Sequence, residues 1–423
     1  MNDKLLRRNV LDVALERVNE TPVLLLQGAR SVGKSTLMRE LSDKRNARIL
    51  DFDDEAIAEH AEQNMQSLLT SAKTVFIDEY QKVPSVLNAV KVKLNQSSRF
   101  GQFVLSGSIS FDALPHKTQA LTGRIQRLNV LPLTQTEINK KPHRNFIKRL
   151  VDSPQSVIET YMNKGVTSAN RNDYLKKTAI GGFPMALKQN NSSARTRWFE
   201  SYIDYSINRD VREVSRIRQL SEMELLLHRL AKTNASLLNV ANISKETGLN
   251  PHSARDYILL LEKIFMLHRL PVSTAVATKR LVKQPKLHFA DTGIATTLLE
   301  LDETTITNID ATTLSATGHL YETFAVNEVI RLCQSVDKVR KVTYWRTRDG
   351  LELDLILELR GGKVIAIEIK SAEKLTNADY TPMRYYQKLA GDKFLYGIIL
   401  HSGVGGILHK NNIASLPLDC LWH

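Results

Sequence analysis

Residues Gly28 to Ser35 read GARSVGKS, which fits the spacing G-x-x-x-x-G-K-[ST]. An apolar run, VLLLQG at 23–28, precedes it, and TLMREL opens a helical pattern after it. That strand–loop–helix context is what a phosphate-cradling loop requires. Gly28 and Gly33 let the backbone approach phosphates closely, and the N–H groups of Ser31, Val32, Gly33, Lys34, Ser35 and Thr36 sit at a helix start that favours an anion. Lys34 is expected to reach the outer phosphates of ATP, and Ser35 to ligate magnesium. TVFIDE at 74–79 supplies the complement. Asp78 at the strand end holds the magnesium shell, and Glu79 is placed to activate a water as general base.

A second group with chemistry to offer lies in ELDLILELRGGKVIAIEIK, residues 352–370. Two strands joined across Gly361 and Gly362 alternate their side chains, so Leu353, Leu355, Leu357 and Leu359 share one face, as do Ile365, Ile367 and Ile369. A two-residue loop would set polar against apolar positions. A three-residue loop of Arg360, Gly361 and Gly362 pairs Leu359 with Lys363, sets Asp354 against Glu368 and Glu352 against Lys370. Two adjacent carboxylates repel unless a cation lies between them, and a divalent ion such as magnesium is the usual occupant. Lys370 then positions water or offsets transition-state charge. The competing reading is the ordinary wet side of a hairpin.

The elements that must position these groups follow from the pattern. Strand-like runs at 23–28, 47–54, 74–79 and 103–108 alternate with helical stretches through about residue 135, which indicates a parallel sheet covered on both faces. Periodicity is helical from about 136 to 268 and turns to strands again beyond it. The expected domains are 1–135, a phosphate-loop domain; 136–215, a helical lid; 216–275, a winged-helix unit; and 276–423, a C-terminal α/β unit. Ser106 in FVLSGS either senses the terminal phosphate or, like Ser108, ends the strand. Arg124 in LTGRIQRL reaches a nucleotide of its own or a neighbouring subunit, as arginine fingers do, or is a surface arginine.

Charge is uneven. The formal net charge is +13, and residues 101–300 hold 29 Lys and Arg against 16 Asp and Glu, whereas the flanking segments are balanced. Clustered basic charge fits a phosphate-backbone partner, with a solvated basic surface as the alternative. Within that segment NVANISKETGLNPHSARDYILLLEKI, 239–264, reads as a helix, a turn at Gly248 and a second helix from Pro251. Ile243, Leu249, Ala254 and Tyr257 face inward, and Ser253 and Arg255 outward. Lys279, Arg280, Lys283 and Lys286 in TKRLVKQPK are expected as backbone contacts to DNA. With no run of about 18 apolar residues, no membrane span is expected, and a cytoplasmic address follows. Cys333 and Cys420 are too few for a disulfide framework or a cysteine-ligated zinc, and read as inert thiols.

The series QGARSVGKSTL, DEYQKVP, FVLSGS, TGRIQRLNVLPLT, GGFP, RDV, KRLVKQPKLHFADTG and EIK resembles a broad prokaryotic family of AAA-type ATPases with a C-terminal domain of the PD-(D/E)XK, restriction-endonuclease-like fold. The resemblance spans nearly the whole chain, with Ser106 where the family often has Thr. It implies an α/β fold class: a P-loop AAA-type ATPase domain, a helical lid and winged-helix middle, and a PD-(D/E)XK-like α/β domain. It implies ATP and magnesium as cofactors, sites shared within a homo-oligomer, and a C-terminal domain that cleaves DNA with magnesium or, alternatively, binds without cutting. GHLYE at 318–322 looks like the opening helix of Holliday-junction resolvases of this fold, which adds Glu322 to Asp354, Glu368 and Lys370 as a candidate.

Overall fold

The computed structural model describes residues 6–70, 73–113, 121–142, 144–163, 169–214, 220–276, 278, 281–308 and 314–423. Five short strands build the first sheet: β1 (Val23–Gln27), β2 (Arg48–Asp51), β3 (Val75–Asp78), β4 (Phe103–Gly107) and β5 (Ile125–Asn129). They are parallel, in the order β2-β3-β4-β1-β5. β1 is buried at all five positions because helices cover both faces. Leu24, Leu26, Phe76 and Val104 pack with helix α1 (Val10–Val18) and helix α2 (Lys34–Arg45). Leu25, Ile77 and Leu105 pack with α3 (Glu55–Leu68) and α4 (Val86–Gln96) on the other side. The placement of β4 between β1 and β3 brings three strand ends into one row.

A helical middle follows, including Arg171–Ile180, Ser192–Tyr205, a π-helical turn Ser206–Asp210, and the helices Leu220–Lys232, Val240–Thr247 and Pro251–Lys263. Gly248, with φ of 74°, caps the Val240–Thr247 helix in the left-handed region. Asn250 starts the next helix by accepting from the Ser253 N–H, with Pro251 at a position needing no N–H. Ile243, Leu249, Ala254 and Tyr257 are all buried, as expected. The chain then forms the antiparallel pair β6 (Leu267–Leu270) and β7 (Lys286–Phe289). The expected boundary at 275/276 falls inside the connection between these two bonded strands.

The C-terminal part is a six-stranded mixed sheet in the order β12-β13-β11-β10-β9-β8. Its strands are β8 (Val339–Arg346), β9 (Glu352–Leu359), β10 (Val364–Lys370), β11 (Phe394–His401), β12 (Ile407–His409) and β13 (Ile413–Pro417). The Leu314–Cys333 helix lies against one face and the Thr381–Ala390 helix against the other. The β9–β10 turn has the expected register: Leu359 N–H donates to Lys363 O, and Leu355 pairs with Ile367. Face assignment is corrected at one position. Asp354 and Leu355 together oppose the single residue Tyr344, because Leu353 pairs with Trp345 and Ile356 with Thr343. This bulge sends Leu353 to the Thr381–Ala390 side while Leu355 and Leu357 pack with the Leu314–Cys333 helix. The Val364 and Ala366 side is a second core layer against Met383 and Tyr386.

Described residues of the β6–β7 connection bond to β8, the edge of this sheet. Ser273 N–H donates to Tyr344 O at 2.6 Å, Tyr344 N–H to Pro271 O at 3.0 Å, and Val282 N–H to Arg346 O at 3.1 Å. One apolar core extends from Val10 in α1 through the helical middle to Trp422.

Candidate functional site

The phosphate loop is shaped by its glycines and by contacts from behind. A Cβ on Gly28 would stand 2.1 Å from Val130 O, so only glycine lets the loop pass the chain leaving β5. Ser31 (φ 63°) and Gly33 (φ 95°) are left-handed. Gly33 caps α2 without any side-chain hydrogen bond, which leaves the helix-start N–H groups facing the loop. Arg8, absent from the sequence reading, supports the loop: Nη1 donates to Val32 O and Nη2 to Leu131 O, each at 2.7 Å, and Nε to Glu137 Oε1 at 3.2 Å. Glu137 belongs to a reciprocal cap with Thr134. Arg8 sits before the motif and meets it only through tertiary packing.

Lys34 is buried, with Nζ donating to Gly28 O and Ala29 O at 3.0 Å. Burial lowers its pKa, opposed by the nearby Glu79 and Asp78 carboxylates. Leu26 pairs with Ser106 and Ile77 with Leu105, so Leu26, Ser106 and Asp78 lie side by side at the strand ends. Ser106 Oγ is buried and without a hydrogen-bond partner among the described residues. By strand alternation it shares the face of Val104, the face that α2 covers. Glu79 is left-handed, φ 48°, and its Oε2 accepts from Ser108 Oγ at 3.1 Å and from Gln81 Nε2. The glycine cradle, uncapped helix start, orphaned hydroxyl and buried lysine fit a nucleoside triphosphate, with Ser35 and Asp78 the residues that would hold its magnesium.

Arg124 is elsewhere. It precedes Ile125, the partner of Val23, so it lies at the opposite end of the sheet from the loop that follows Gln27. Its Nη1 donates to Asn95 Oδ1 at 2.6 Å. Strand direction therefore sets Arg124 apart from the phosphate loop of its own chain. The loop does have a distant arginine contact of its own making: Arg30 bonds Asp210 of the π-helical turn, from Nη2 at 2.9 Å and Nε at 3.1 Å.

The C-terminal carboxylates converge, around an unexpected residue. Lys286, expected to contact DNA, is 2% exposed. Its Nζ lies 2.6 Å from Glu322 Oε1 and 3.0 Å from Asp354 Oδ1, and it also pairs with Glu352 Oε1. Burial opposes the charge, yet Glu322, Asp354 and Glu352 hold the Lys286 ammonium well above the ordinary lysine value. Burial and then Asp354 push the Glu322 carboxyl up to about 8. Asp354 Oδ2 accepts from Ile369 N–H at 2.9 Å. Glu368 is buried and pairs with Lys370 at 2.7 Å, and burial with Asp354 raises its pKa. Glu352, expected opposite Lys370, instead pairs with Lys286 and with Arg346 at 2.7 Å. Each of these carboxylates therefore meets a protein cation, and a divalent ion between Asp354 and Glu368 does not fit the arrangement. Among the described residues no group of three His, Cys, Asp or Glu has metal-holding geometry. Lys283 is exposed, and Lys279 and Arg280 lie outside the described residues.

Other shared motifs are structural. Arg331 donates to Leu133 O at 2.9 Å and to Ala290 O at 3.2 Å, and pairs with Asp291, which accepts from the Gly182 and Gly293 N–H groups. LNVLPLT, GGFP and FADTG thus meet at one buried joint.

Residues 20–139 match a family described as an AAA domain. Residues 171–305 and 317–421 match two families described as domains of unknown function, DUF8612 and DUF4143. Uncharacterized proteins of Mycobacterium tuberculosis and Mycobacterium bovis are each 23% identical over 364 residues, 86% of this chain and 74% of theirs. Among solved structures, a Walker-type ATPase of Pyrococcus abyssi aligns with TM-score 0.41 and 15% identity, over 70% of this chain and 97% of that one. A RuvB variant of Thermotoga maritima aligns with TM-score 0.27 and 16% identity, over 62% and 87%. The N-terminal unit is an AAA-type P-loop ATPase domain, joined to a C-terminal mixed α/β sheet. No helix among the described residues is long and apolar enough to cross a membrane.

Proposed function

We propose that the protein is an ATP-hydrolysing switch that transmits nucleotide state from the phosphate loop to the helical middle, where it engages DNA, and that its C-terminal domain binds rather than cuts. Lys34 at the start of α2, facing Asp78, Glu79 and Ser106 at the strand ends, carries the hydrolytic part. Lys34 exchanges the Gly28 and Ala29 carbonyls for the outer phosphates. Ser35 and Asp78 hold magnesium, which when bound offsets phosphate charge. Glu79, on leaving Ser108 and Gln81, accepts a proton from the attacking water, and the Ser106 hydroxyl contacts the terminal phosphate.

Two contacts connect this site to the middle. Arg30 grips Asp210, and Ser110 N–H, just past the Ser106 strand, donates to Lys263 O at the end of the Pro251–Lys263 helix at 2.8 Å. We read the Leu220–Lys232, Val240–Thr247 and Pro251–Lys263 helices with β6 and β7 as a winged helix whose wing is taken up by β8. DNA contact then falls to exposed helix residues such as His252 and Arg255 and to the basic surplus of residues 101–300, which suits backbone binding without sequence readout. The C-terminal sheet is read as PD-(D/E)XK-like, and the Lys286 contacts support the non-cutting alternative. Arg124, away from its own nucleotide, is assigned to a neighbouring subunit in a homo-oligomer.

Magnesium-dependent ATP turnover by the intact chain, abolished in Lys34→Ala, tests the first part. Affinity for duplex DNA that falls steeply with salt tests the second. Absence of turnover, or salt-independent binding, overturns the corresponding part.

A further inference from the structure

The carboxylate centre of the C-terminal sheet already contains a cation. Glu322 comes from the Leu314–Cys333 helix, Glu352 and Asp354 from β9, and Lys286 from β7, so three separate elements deliver one ammonium to three carboxylates. An ammonium has three donors and no acceptor, and here Nζ donates to Glu322 Oε1 and Asp354 Oδ1 and forms an ion pair with Glu352 Oε1. The bulge at Asp354 and Leu355 is what turns Asp354 toward this point, and Tyr344, the residue opposite the bulge, places its ring 5.7 Å from Lys286 Nζ. Magnesium demands an octahedron of oxygens near 2.0–2.1 Å, a shell that cannot form around a point already filled by nitrogen.

Next to it, Glu368 is buried with Oε2 unpartnered, while its Oε1 is taken by Lys370. The polar rim thus adds a desolvated carboxyl beside the three that meet Lys286, a setting in which removal of the ammonium leaves buried oxygens in need of a new partner.

We propose that Lys286 is the resident cation of this centre, a tethered ammonium that stands where a divalent ion would have to sit, so that Glu322, Glu352 and Asp354 hold no metal while it is in place. The inference rests on the non-cutting reading of the C-terminal domain and is independent of ATP hydrolysis. Because Lys286 belongs to β7, the same contact fastens the β6–β7 pair to the C-terminal sheet. The domain then needs no metal to hold its shape.

The test is calorimetric titration of Mn2+ into the nucleotide-free full chain, comparing wild type with Lys286→Met. The expected result is no saturable site in wild type and one in Lys286→Met, with a dissociation constant on the order of 10⁻⁴ M as for weak carboxylate sites. Adding Asp354→Asn to Lys286→Met should remove it. Saturable wild-type binding that is lost in Asp354→Asn overturns the proposal, as does a folded Lys286→Met that binds nothing. If Lys286→Met unfolds, recovery of its thermal transition by Mn2+ supports the proposal and indifference to Mn2+ overturns it. ATP turnover in Lys286→Met should equal wild type; its loss in both chains would strike the ATPase reading and leave this one standing.

Discussion

Arg30, in the middle of the phosphate loop, bonds Asp210, 180 residues further along, through both Nε and Nη2. Asp210 is buried and Arg30 also lies over the Tyr205 ring, 5.4 Å from its centre. A loop that must adjust to phosphates is therefore tied directly to the turn that ends the Ser192–Tyr205 helix. Asp210→Asn keeps the shape and removes the charge. It should cost about 2 kcal/mol of stability, toward the low side for a buried pair because Arg30 is partly solvated. ATP affinity should change little, while ATP-dependent protection of residues 192–214 from hydrogen exchange disappears. Protection equal to wild type would refute the coupling.

Glu79 is held by Ser108 and Gln81 in a left-handed backbone position. Glu79→Gln should bind ATP normally and lose at least about 100-fold in turnover, the usual scale for a general base. Ser108→Ala removes one hydrogen bond of about 1 kcal/mol and should raise kcat about five-fold at unchanged KM. Steady-state assays with both variants settle the point: a fall in kcat for Ser108→Ala would mean that this hydroxyl serves the reaction instead of restraining the base.

Gly28→Ala places a methyl group 2.1 Å from a backbone oxygen that no side-chain rotation can move. Nucleotide binding should vanish and the melting temperature should fall, consistent with an overpacking cost of about 1–3 kcal/mol or more. Gly123→Ala is the contrast, since no atom lies within 4 Å of its Cβ. Its left-handed φ of 76° still costs some stability, but nucleotide affinity should survive.

Acidity should matter in an unusual direction. Burial raises the Glu328 carboxyl to about 7, partly opposed by Arg331, and Glu322 is raised to about 8. Both folded-state values lie above the ordinary glutamate value, so the folded chain binds protons more tightly than the unfolded one. Their contribution is greatest below about pH 4.5 and is lost as pH rises through 7 to 8. For Glu328 it is on the order of 3 kcal/mol. Glu328→Gln can still accept from Gln135 N–H and should flatten the decline in denaturant midpoint between pH 5 and 8.5. An unchanged slope would exclude Glu328 as its source.

Legibility in the sequence followed the range of the interaction. The phosphate loop and the β9–β10 register depend on neighbours within a few residues, and Leu359 to Lys363 pairs as loop length requires. The bulge did not show, because the run Leu353, Leu355, Leu357 alternates perfectly and only the opposing strand creates the extra residue at Asp354 and Leu355. Lys286 stands in a basic stretch, TKRLVKQPK, and nothing local separates it from Lys283; only β7 pairing with β6 carries it inward. Which of the readings of Arg124 applies was hidden for a related reason, since its distance from the loop of its own chain depends on the parallel direction of β5 and β1.

The contacts of residues 271–273 and 281–282 with β8 also affect how copies of the chain meet. A bare flank of a sheet offers a template to any passing extended segment, and here that flank is already occupied by the chain's own backbone. The other flank ends in β12, only three residues long. Among the described residues, the C-terminal sheet thus presents no long open strand on which crowded copies could zip into filaments, and self-association through this sheet is left to its helices, loops and side chains.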